Sequence, residues 1–273
     1  MIQTRSTLET YHRVSNLFAG NKRAFYSRFG DGDVFIMMGK DQQNHKASPA
    51  LTQELIEAFD IKHPAYLKGL SINYPNEKGM SNGLFARFST NQMMADFIES
   101  RFGIPENYQF ENPVFLHYLA VFNPKLANTF LNDHVRNKKK MYIGTIPKEQ
   151  AERLLGKIDY HIATPARDSY YTIDEWWPKV LENIHQVELV IPATGMATRV
   201  INKRLWEMDI PLQSIDIGSI VDVLDGRNTR KWIRLAGHRI DNVLLDKSVK
   251  TLSRRAWYWY KEAFYQIRLL IKG

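Results

Sequence analysis

Residues 187–219 read "VELVIPATGMATRVINKRLWEMDIPLQSIDIGS", two short apolar runs separated by one helix-length polar-apolar stretch. The first run ends at Thr194, a helix is expected over about 196 to 208, and the second run ends at Gly218-Ser219. The same rhythm precedes it. "KMYIGT" (140–145) is followed by a helix opened by Pro147, and "DYHIAT" (159–164) by a helix whose Thr172 and Glu175 have capping-box spacing. Four apolar strands alternating with helices predict consecutive right-handed βαβ units in a parallel sheet. Ligands of such sheets bind beyond the carboxyl ends of the strands. The polar residues at those ends, Thr145, Thr164, Thr194 and Gly218-Ser219, are therefore the first candidates for function.

Working outward, Leu8, Tyr11, Val14, Leu17 and Phe18 follow helical spacing and lead into a strand at about 24 to 29. A second apolar run, "VFIMMG", follows at 34–39, and Ser48-Pro49 offers an N-cap and first-turn proline for a helix to about Asp60. Another helix is expected over roughly 81 to 102. The region 105–136 reads as largely helical, interrupted at Asn112-Pro113 and Asn123-Pro124. The fold class is thus α/β, a Rossmann-like, mostly parallel sheet with a helical insertion. Residues 1–245 form the expected main domain, and 246–273 a C-terminal basic aromatic helix.

Composition narrows the partners. The chain has 37 Lys and Arg against 29 Asp and Glu, a formal charge of +8, which favours an anionic partner. Its basic residues are not gathered into an aromatic-interleaved stripe, so nucleic acid is not expected. With no cysteine, disulfides and thiolate chemistry are excluded, which suits a cytoplasmic protein. No apolar stretch approaches the ~20 residues that span a bilayer. In "LSRRAWYWYKEAFYQIRLLIKG" (252–273), Trp257, Tyr260, Phe264, Ile267 and Ile271 share a helical face beside five lysines and arginines. That pattern suits either packing on protein or peripheral contact, through 252–272, with an anionic membrane surface.

Four stretches carry candidate chemistry. In Arg28-Phe-Gly-Asp-Gly-Asp33, Gly32 could let the carboxylates of Asp31 and Asp33 converge on a hard divalent cation, with Arg28 on a phosphate; Gly-Asp-Gly is also good tight-turn chemistry. "IPATGMATRV" places small residues, Thr194 and Gly195 among them, before a helix whose amides can approach phosphate, or it is a plain strand-helix turn. Asp216, Asp222 and Asp225 form a second acidic group near Gly218, since an acid in an apolar strand needs a partner or a metal. Arg167 and the tyrosines beginning at Tyr170 follow Thr164 and suit phosphate contact and base stacking. His238 stands alone as a base candidate.

Taken together, "SRFGDGD", "HIATPARDSYYTIDEWWPKV" and "IPATGMATRVINKRLWEMDIPLQSIDIGSIVD" resemble, in that order, the bacterial glycosyltransferases of the GT-D fold, over roughly residues 23 to 240. That resemblance implies a nucleoside diphosphate sugar donor, UDP-sugar foremost, and transfer of a hexose to a glycan or lipid-linked acceptor in surface polysaccharide or glycoprotein synthesis. It also implies Mn²⁺ or Mg²⁺ held by Asp31 and Asp33, with aspartate at 33 where the family commonly has glutamate. Donor contacts are expected from Arg28, Gly30, Thr164, Arg167, Tyr170, Thr194, Gly195, Asp216 and Gly218, and proton transfer from Asp222 or His238. A non-catalytic nucleotide- or lipid-binding adaptor is the alternative reading.

Overall fold

The computed structural model describes residues 2–41, 46–70, 92–105, 107–225 and 240–246. Six strands form one parallel sheet: β2 (Ala24–Phe29), β3 (Tyr66–Leu70), β5 (Lys140–Gly144), β6 (Tyr160–Ala163), β7 (Leu189–Ala193) and β8 (Gln213–Ile215), in the spatial order β3-β2-β8-β7-β5-β6. Two-residue strands β1 (Gln3–Thr4) and β4 (Gln109–Phe110) pair separately, also in parallel. Every residue of β2, β5 and β8 is buried, as expected where helices cover both faces of a parallel sheet.

One face carries α1 (Thr7–Gly20), α5 (Phe115–Phe122), α6 (Pro124–Leu131) and α7 (Lys148–Leu155), whose apolar stripes join Tyr26, Tyr142, Ile191 and Ile215 in one core. The other carries α2 (Asp31–Met37), α3 (Pro49–Asp60), α4 (Gln92–Phe102), α8 (Ile173–Asn183) and α9 (Ala197–Glu207), packed on Phe25, Phe29, Met141 and Val190. Alternate strand residues feed the two cores, and burying each large side chain contributes about 1.5–3 kcal/mol. The helical insertion is α5 and α6, separated where Asn123 turns the chain and caps Leu126, then closed by a π-helical turn at Asn132–Arg136.

Local signals are mostly obeyed. Ser48 accepts from the Leu51 amide at the start of α3, with Pro49 in its first turn. One expectation is corrected, and one stretch the sequence left unassigned becomes a helix. Thr172 stands at the N-cap of α8 but its hydroxyl donates toward the Ser169 carbonyl, so no capping box forms with Glu175. The strand ends at Phe29 as expected, and the apolar run after it is helical: Gly30 caps α2, and "VFIMMG" supplies that helix and its end. The expected helix 81–102 is observed as α4 from Gln92, the residues before it lying outside those described, as do His238 and the segment 252–272.

Candidate active site

Connections fix where a ligand can sit. From β5 the chain moves outward through α7 to β6; from β7 it moves the opposite way through α9 to β8, on the other face. Strands β5 and β7 stay paired to their ends, but the connections leaving them run to opposite faces of the sheet, the switch point in whose crevice α/β sheets bind their ligands. The start of α9 and the ends of β7, β8 and β2 border it. Gly218 is what lets β8 close up here: a Cβ on it would lie 2.2 Å from the Ala193 Cβ. Gly195 makes the turn into α9 with φ +63°, a conformation glycine adopts without cost.

Four charged side chains interlock beside this crevice. The Arg28 guanidinium donates from Nε and Nη2 to Asp216 Oδ1 at 2.9 and 2.7 Å, and from Nη1 to Ser219 Oγ at 2.7 Å and the Pro113 carbonyl at 3.2 Å. Ser219 Oγ also meets His117 Nε2 at 3.2 Å. Arg199, in the first turn of α9, reaches Asp33 Oδ2 at 3.0 Å and Asp216 Oδ2 at 3.6 Å, and donates to the Gly195 carbonyl at 2.7 Å. Arg28, Asp33 and Asp216 are buried. Burial alone would favour neutral Arg28, but Asp216 outweighs it and raises the guanidinium above its ordinary value.

The loop after β6 is tied to the end of β7: Ser169 Oγ donates to the Thr194 carbonyl at 2.8 Å. Thr198 Oγ1 accepts from the Thr194 amide, locking the β7–α9 turn. In this loop Tyr170 turns inward, its hydroxyl bonded to Glu54 of α3 and pushed up to about 12 by burial and then that carboxylate. Tyr171 is 50% exposed, with its hydroxyl on the Lys46 carbonyl at 2.9 Å and its ring edge-on to Tyr170. Arg167 is exposed, while Thr164 is buried and its hydroxyl has no hydrogen-bond partner among the described residues.

The whole arrangement can be set beside solved structures. A glycosyltransferase (DUF1792) from Streptococcus sanguinis superposes with a TM-score of 0.60 at 17% identity, over 81% of this chain and 82% of its own. A selenomethionine-substituted domain of unknown function 1792 gives 0.58 at 15% identity, over 80% and 79%. A third, the highly conserved domain of that name with a distinct glycosyltransferase fold, gives 0.55 at 13%, over 82% and 80%. The chain has the GT-D fold. No protein-family model and no curated protein sequence matches it.

On this GT-D fold the expected residues fall into three groups. Arg28, Asp33, Asp216, Gly218, Thr194 and Gly195 come together through Arg199 and the β7–α9 turn. Half-buried Asp222 lies in the 3₁₀ stretch Gly218–Asp225, near enough for its charge to act on Arg28. Apart from these stand Tyr170, turned toward α3, and Asp31. The convergence expected of Asp31 and Asp33 is not formed. They occupy the first and third positions of α2, about 200° apart around the helix. Asp31 is exposed with its carboxylate on the Gly32 amide, whereas Asp33 accepts from the Gly30 amide at 2.7 Å. As arranged, the two do not make a two-carboxylate clamp, and no group of three or more His, Asp or Glu among the described residues gathers as a metal cluster would.

Sequence reasoning missed Arg199 and His117, while Ser219 and Tyr171 stood at the strand end and in the tyrosine pair it had marked. A signal existed for the first: an arginine in the opening turn of a helix runs against the macrodipole, so its presence implies facing carboxylates or a bound anion.

Proposed function

We propose that this chain is a glycosyltransferase that moves a hexose from a nucleoside diphosphate sugar, UDP-sugar foremost, to a glycan or lipid-linked acceptor. The observation that carries the reading is the meeting of Arg199 with Asp33, Asp216 and the Gly195 turn at a switch-point crevice of the GT-D fold. In our reading the first-turn amides of α9 take the diphosphate, as helix starts take anions, and Arg28 steadies Asp216 beneath it. Transfer breaks the bond between the anomeric carbon and the phosphate oxygen, the electron pair leaving with the nucleoside diphosphate. The acceptor oxygen bonds that carbon and gives up its proton, which we assign to the Asp222 carboxylate. Fixed donors aimed at the departing diphosphate stabilise the charge that grows there.

The acceptor and the membrane are further parts of the proposal. No described helix is long and apolar enough to cross a bilayer. We assign the basic aromatic stretch 252–272 to contact with anionic lipid, which would bring a lipid-linked acceptor to the protein. The test of the core reading is calorimetric titration with UDP, GDP and TDP, followed by detection of nucleoside diphosphate release from the matching sugar donors. Saturable binding of one of them at a single site is expected. Absence of binding across all three would remove the donor assignment, and binding without sugar release would favour the adaptor reading.

A further inference from the structure

A guanidinium already stands between Asp33 and Asp216 beside the helix start assigned to the donor. Arg199 bridges Asp33 at 3.0 Å and Asp216 at 3.6 Å, while Asp31 and Asp33 diverge around the first turn of α2 and could chelate a single ion only if that turn unwound. Asp33 is held further by the Gly30 amide, and aspartate is a methylene too short to serve both this cap and a distant ion. Of the pair expected to hold a divalent ion, Asp33 is thus committed to a guanidinium and a helix cap, and Asp31 faces away from it into solvent.

Resting on the donor site proposed above, we infer that Arg199 fills the role of the divalent cation, so that the nucleoside diphosphate is bound, and its leaving charge stabilised, without metal. One observation beyond the helix start supports this. The Nε–H of Arg199 is buried with no acceptor among the described residues. Buried donors without acceptors are costly, and phosphate oxygens are the acceptors that such donors fit. Arg199 also stands where the α9 macrodipole opposes a cation; an anion at the same helix start would relieve that opposition as it binds. Arg28 and Arg199 balance Asp216 and Asp33 in formal charge, so the cluster keeps its shape while donor N–H groups remain for the ligand.

The experiment uses the full chain and UDP as the probe, titrated by calorimetry in excess EDTA and again with Mn²⁺, with the free Mn²⁺ signal followed by electron paramagnetic resonance. Equal affinity in the two arms, within about twofold, and no protein-bound Mn²⁺ beyond that carried by UDP are expected. Arg199→Gln paired with Asp33→Asn, so that the change at 199 strands no buried carboxylate, should weaken UDP about tenfold or more in both arms, matching loss of a charge-assisted hydrogen bond. UDP binding that requires Mn²⁺ overturns the inference and leaves the donor site standing. No UDP binding in either arm overturns both, and an unchanged affinity in the folded double variant removes Arg199 from the role.

Discussion

At the carboxyl ends of the strands buried Arg28 and half-buried Arg199 pair with Asp216 and Asp33, whereas toward the amino ends Lys68 and Lys140 donate to main-chain carbonyls. Lys68 Nζ meets the carbonyls of Phe59 and Ile61 as α3 ends, at 2.6 and 3.1 Å; Lys140 Nζ meets those of Arg136 and Lys157, at 3.1 and 2.6 Å. A carbonyl dipole compensates a buried charge less than a carboxylate does. Burial accordingly pushes both lysines down to about 8, while Asp216 holds Arg28 above its ordinary value. The amino ends use cations to close off exposed carbonyls, and they tolerate losing the proton. The carboxyl ends fix a pattern of paired charges held by one another, which is what a rim for a charged ligand requires.

The contrast breaks first at Asp216. Asp216→Ala strands Arg28 and half of the Arg199 contact, and removing one partner of a buried pair costs about 3–5 kcal/mol. Urea unfolding should show that loss, together with loss of UDP binding. A destabilisation below about 1 kcal/mol would mean that water, not Asp216, carries the charge of Arg28.

A smaller effect belongs to the other end. The folded pKa of Lys140, about 8, lies below its unfolded value of 10.5, so between these the unfolded chain binds the extra proton. Stability then rises with pH across that window. Lys140→Met removes this contribution: the variant's stability relative to wild type should fall by about 2–3 kcal/mol between pH 8 and pH 10.5, the slope approaching ~1.4 kcal/mol for each step of one in pH. Parallel unfolding curves for the two proteins over that range would show that Lys140 keeps its proton in the native state.

How much of this was readable beforehand differs between the two ends and has physical reasons. Strands β5, β7 and β8 announced themselves as apolar runs closed by small polar residues, because a doubly covered strand tolerates little else, and the partly exposed edge strand β6 carried the same pattern. Asp216 was legible as an acid against an apolar strand. The divergence of Asp31 from Asp33 was not, although Asp in a first helical turn is a start signal; Gly-Asp-Gly after a strand satisfies turn chemistry equally well, and only the packing of Val34, Ile36 and Met37 decides for the helix. Lys140 gave no signal at all, since a strand-initial lysine is usually solvated and its burial depends on carbonyls 4 and 17 residues away. The choice between Tyr170 and Tyr171 was equally invisible, being made by Glu54, 116 residues earlier in the chain.

That last pair offers the finest test of what the crevice rim is for. Tyr170 is committed to α3, so for the proposed UDP-sugar donor we assign base stacking to the exposed ring of Tyr171, on a loop fastened to β7 by Ser169. Stacking on an aromatic side chain is worth about 1–3 kcal/mol per base. Tyr171→Ala should therefore weaken UDP by about fivefold or more yet leave inorganic pyrophosphate within about twofold, since pyrophosphate has no base to lose. Tyr171→Phe keeps the ring and gives up only the bond to the Lys46 carbonyl, so its UDP affinity should stay close to wild type. An equal loss of UDP and pyrophosphate in the alanine variant would mean that the ring supports the loop rather than the ligand, because only a base contact separates the two probes.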